Sequence, residues 1–115
     1  MNPADELRTA ATRLRQRAAD ATPGPWKTDT SIPYGHRVGS TDDADWIAWT
    51  GEHGETGSEA DAAYIAAMGP NVGTLLARWL DVTANSLDAN THPGWQETVA
   101  PDALAIAREI NRAQP

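Results

Sequence analysis

Asp45-Trp46-Ile47-Ala48-Trp49-Thr50 decides the fold class of this 115-residue chain. Aromatic and β-branched residues suit a pleated, half-buried surface, so the hexapeptide predicts a strand. Simple alternation places Trp46 and Ala48 on one face and Ile47 and Trp49 on the other. Both faces are then apolar, as in a covered central strand or a sheet with one exposed aromatic face.

Working upstream, Trp26-Lys27-Thr28-Asp29-Thr30 and His36-Arg37-Val38-Gly39-Ser40 read as two further strands, joined by the turn signal Pro33-Tyr34-Gly35. The three make a small antiparallel meander. Before it lies an amphipathic helix. Asn2 caps that helix, Pro3 opens it, and Leu7, Ala11, Leu14 and Ala18 recur at helical spacing. Pro23 and Pro25 stop it, since proline lacks the amide proton and crowds the preceding turn.

Downstream, Glu52 to Gly57 reads as a flexible acidic loop. Ser58-Glu59-Ala60-Asp61 is similar to a capping box, with Ser58 as the cap. Tyr64, Ile65 and Met68 share a face of the short helix that follows, and Gly69-Pro70 interrupts it. Val72, Leu75, Leu76, Trp79, Leu80, Thr83 and Leu87 then mark the main core helix. Pro101 and Asp102 open a last helix carrying Leu104, Ala107 and Ile110. The expected architecture is α+β: the meander packed with an N-terminal helix and C-terminal helices, as a single domain over residues 1–115.

Composition narrows the function classes. Phe and Cys are absent, while five tryptophans supply the large apolar side chains. Without cysteine there is no disulfide framework and no thiolate ligand or nucleophile. No segment has the apolar length of a membrane span, and residues 1–20 lack the apolar run of a secretory signal. A cytoplasmic protein without a membrane partner is therefore expected. The net charge is −7; residues 1–37 carry six cations against four acids, and the remainder three against twelve. Such a chain repels duplex nucleic acid unless it has a dense basic patch, for which the first-helix arginines are the sole candidates.

No cofactor motif is present, and no arrangement of Ser with His suggests a nucleophile. His53 between Glu52 and Glu55 lacks the spacing of a helical zinc site, and Asp42, Asp43 and Asp45 lack that of a calcium loop. No catalytic, metal or cofactor role is assigned. The stretch from Trp26 to Trp49 is different in kind. Trp26, Tyr34, Trp46 and Trp49 offer stacking surfaces, and Lys27, His36 and Arg37 lie among them. Aromatic faces with a guanidinium and an imidazole are suited to holding a base and its phosphate.

Ala21-Thr22-Pro23-Gly24-Pro25-Trp26, followed by Asp61-Ala62-Ala63-Tyr64-Ile65-Ala66-Ala67-Met68-Gly69-Pro70, resembles the small phage-associated proteins called Ead or Ea22-like, over roughly residues 7–80. The resemblance implies phage or prophage accessory cargo, acting in the host cytoplasm, and no particular chemistry. Two binding modes remain open. One is sequestration of a nucleotide-like host-defence signal by the aromatic hairpin, as a non-catalytic homo-oligomer built on the main or the last helix. The other is direct blocking of a host protein by the acidic region 42–61, which holds seven acids and no Lys or Arg.

Overall fold

The computed structural model of the chain describes residues 1–29, 35–40 and 46–113. It is an α+β fold. Helix α1 spans Pro3–Asp20, strands β1, β2 and β3 span Trp26–Asp29, Gly35–Ser40 and Trp46–Glu52, and helices α2 and α3 span Ser58–Ala67 and Pro70–Asn90. A 3-10 turn over Pro93–Trp95, the single-turn helix α4 (Gln96–Val99) and helix α5 (Pro101–Arg112) complete it. The chain divides into two compact units, one of residues 1–17 with 74–115 and one of residues 18–73.

The first unit is helical, and its core is built largely on alanine. Ala4, Leu7, Ala10 and Ala11 of α1 meet Ala77, Leu80, Ala84 and Leu87 of α3 and Ala103 and Ala107 of α5, all buried. Small residues let helix backbones approach closely, and the few leucines fill the space that remains. Arg8 joins Asp88 at 2.5 Å and Arg15 joins Asp81, so α1 and α3 run antiparallel. Arg13 donates to Asn111 Oδ1 at 3.3 Å. Arg108 of α5 holds Glu6 at 3.1 Å and Glu97 at 2.9 Å. Hydrogen bonds to Glu6 and then Glu97 raise the Arg108 guanidinium above its ordinary range, so it stays charged. Asn2 caps α1 as its residue type dictates, its Oδ1 accepting from Asp5 N at 2.8 Å.

The face that α3 turns to this core is not the one its large side chains mark. Trp79 is 44% exposed, Leu75 and Val82 are each 61% exposed, and Val72 is exposed as well. Ala77, Leu80, Ala84 and Leu87 are buried in their place. The face that meets α1 and α5 is lined by alanine and leucine rather than by the indole.

The second unit holds the meander, in strand order β1-β2-β3 with both pairings antiparallel. Helix α2 covers one face, in contact with all three strands. His36, Val38 and Ser40 of β2 are buried on that side. Trp26, paired with Ser40, lies on the same side. There its indole passes 3.4 Å from the place a Cβ on Gly69 would occupy, and its Nε1 donates to Thr22 O at 2.9 Å. Ser58 is not the cap of α2. Gly57 holds that position in a left-handed conformation without a side-chain hydrogen bond. Ser58 is buried and donates through Oγ to Glu52 O at 3.0 Å. Thr50 Oγ1 donates to Ser58 O at 2.6 Å. These two bonds pin the start of α2 to β3, a use of the hydroxyls that only the folded chain makes available. Among the described residues no helix is long and apolar enough to cross a membrane.

Candidate functional site

The other face of the sheet carries no helix of this unit, and its side chains follow from the register. Arg37 pairs with Asp29 on one side and with Trp49 on the other; Gly39 pairs with Lys27 and Trp46. Directly opposed residues project to the same face, so Lys27, Asp29, Arg37, Trp46 and Trp49 share it. Trp46 is 60% exposed and Trp49 50% exposed.

The two indoles reach one face through irregular pairing. Residues three apart in a regular strand project to opposite sides. Here the register slips between Val38 and Gly39 of β2, leaving Ile47 of β3 as an extra residue. The bulge reverses the parity of Trp46 relative to Trp49. A second slip falls between His36 and Arg37. There a Cβ on Gly35 would stand 2.3 Å from Gly51 O and 2.8 Å from Trp49 Nε1. Only glycine admits that approach, which seats the Trp49 ring across the end of β2.

Arg37 is held at the centre of this face. Its Nε donates to Asp29 Oδ2 at 2.7 Å, and its Nη2 lies 2.5 Å from the same oxygen. Both side chains are partly buried, which strengthens the pair relative to a fully solvated one. Asp29 thus orients the arginine and offsets its charge. No motif signals Asp29; opposite charges on two consecutive strands are the one hint, and strand register converts it into a contact.

Of the residues singled out from sequence, Lys27, Arg37, Trp46 and Trp49 come together on the open face. Trp26 and His36 lie on the face under α2, and Tyr34 falls outside the described residues, as do Asp42, Asp43 and Asp45. His36 lines a separate cleft of about 550 Å³ with Glu55, Ser58 and Glu59. It is 8% exposed, its Nδ1 has no hydrogen-bond partner among the described residues, and the His53 ring meets it edge-on at 4.8 Å. The acidic loop thus meets β2 through a histidine pair. Glu55 accepts from Glu52 N at 2.7 Å, which closes the turn. Among the described residues no three His, Asp or Glu side chains are arranged to hold a metal ion. The first-helix arginines Arg8, Arg13 and Arg15 are tied to α3 and α5, so they form no free basic patch.

Comparison of the chain with family models, with curated proteins and with solved structures returns no match.

Proposed function

We infer that this chain is a phage-type accessory binding protein, non-catalytic, that sequesters a nucleotide-like host-defence signal on the open face of its sheet. One observation carries the reading: two half-exposed indoles share a sheet face with a fixed arginine. Large exposed aromatics on a sheet face are costly to leave in water unless something stacks on them. A flat base stacks on an indole whatever its sequence identity, and Arg37 supplies charge-assisted hydrogen bonds to a phosphate. With Arg37 offset by Asp29, the face suits a ligand of low charge, such as a cyclic nucleotide or an ADP-ribose derivative, better than a duplex.

Titration calorimetry against cyclic di- and trinucleotides and ADP-ribose derivatives tests it. We expect at least one to bind below millimolar. Trp49→Ala should then weaken it by about five- to a hundredfold, the equivalent of roughly 1 to 3 kcal/mol for one stacked base. Arg37→Ala should weaken it by about ten- to a hundredfold. A panel in which nothing binds the wild-type chain removes this function and leaves the acidic surface, with Glu52, Glu55, Glu59 and Asp61 all exposed, as the functional one.

A further inference from the structure

We propose that α3 is the self-association surface of this protein, and that it pairs antiparallel with α3 of a second copy about a two-fold axis between Trp79 and Val82. The exposed face supplies the pattern. Leu75, Trp79, Val82, Ser86 and Ala89 are all exposed and are spaced four, three, four and three residues apart. That is the seam spacing of paired helices. The buried residues Ala77, Leu80, Ala84 and Leu87 repeat at three, four and three on the opposite side. Helix α3 therefore has two seams. Helices α1 and α5 of the same unit contribute the side chains packed on the buried seam, and the other lies open.

Side-chain volume selects the occupant and its direction. In an antiparallel pair centred between Trp79 and Val82, Trp79 faces the partner's Val82 and Leu75 faces the partner's Ser86. Each layer then combines a large side chain with a small one, the arrangement that fills a helix interface without voids. A parallel pair stacks Trp79 on the partner's Trp79 and Ser86 on the partner's Ser86, overfilling one layer and emptying another.

Charge permits a second copy of this chain along this stretch. The chain carries −7, so most of its surface repels another copy. Between Pro70 and Leu87 the sole acid is Asp81, and Arg15 neutralises it. Arg78 beside the seam forms no ion pair with a described residue, and it adds positive charge where the copies meet. From Leu75 to Ala89 the seam is about 21 Å long at the helical rise. A contact of that length and one helix wide falls at the small end of specific interfaces, so the dimer is expected to be reversible at micromolar concentration.

Sedimentation equilibrium from about 1 to 500 μM provides the first test. We expect a monomer–dimer equilibrium that Val82→Glu abolishes, with the circular dichroism of both proteins alike because Val82 is outside the core. The chain has no cysteine, so a second test is clean. Leu75→Cys protein mixed with Ser86→Cys protein should give a mixed disulfide dimer under mild oxidation, in excess over either protein alone. A wild-type chain monomeric at 500 μM overturns the proposal. So does a dimer that survives Val82→Glu, which would place the interface elsewhere. Preferential self-linking of Ser86→Cys would overturn the antiparallel arrangement.

Discussion

Trp79 and Leu80 are neighbours in sequence and opposites in energetic role. Leu80 is fully buried in the alanine-rich core, and Trp79 is 44% exposed. Leu80→Ala should cost about 2 to 5 kcal/mol, through lost transfer energy and the cavity left behind. Trp79→Ala in monomeric protein should cost on the order of 1 kcal/mol, as a half-exposed position allows. Urea unfolding of both variants at low micromolar concentration measures the difference; equal losses would place the indole in the core. Gly35 is the second decisive residue. Gly35→Ala drives a methyl group into the Gly51 carbonyl, which belongs to the backbone and cannot step aside. We expect a loss of roughly 1 to 3 kcal/mol together with a changed Trp49 fluorescence. An unshifted denaturation midpoint would mean that the close approach of β2 and β3 relaxes freely.

At the scale of elements, the sheet and the helices obey different constraints. The sheet depends on register, since the slip between Val38 and Gly39 in the β2–β3 pairing brings Trp46 and Trp49 to one side. The helices depend on small side chains at their shared buried faces. Ala84→Leu should therefore destabilise by about 1 to 3 kcal/mol although it adds apolar surface, because a packed interface has no room for three more carbons. A rise in thermal midpoint would show an unfilled space beside Ala84. The N-terminus of α1 gives a smaller and cleaner test. Asn2→Ala removes the acceptor for the Asp5 amide and should cost about 1 kcal/mol, read as a lower thermal midpoint with unchanged helical content at low temperature.

For the whole molecule, charge is the dominant long-range property. Two copies approaching along α3 bring together −14 in all, twice the −7 of one chain. Salt screens that repulsion over a length of about 10 Å at 0.1 M. Raising the salt from about 0.05 to 0.5 M should therefore tighten the dimer, the reverse of what an interface held by ion pairs does. Sedimentation at the two salt concentrations reads the direction; a dimer that dissociates in salt would rest on charge pairs rather than on the apolar seam.

The α+β class, the three strands, the capped first helix and the main helix from Pro70 were all legible in residue order. Each follows from local physics: proline and glycine stops, β-branched and aromatic runs, and an Asn side chain at a helix start. What residue order left open was every choice of side. Helical spacing marks two seams on α3, and large side chains point to the one with Trp79. Packing took the one with alanine, because the buried face is the one that α1 and α5 meet. Alternation puts Trp46 and Trp49 on opposite faces, and a bulge, which exists only between paired strands, puts them on one. Arg37 is visible as a cation in sequence; that Asp29 holds it is a matter of register. Local preferences depend on residues a few positions apart and are written in order along the chain. The burial of one face over another depends on which distant segments meet, and that was decided only by the tertiary structure.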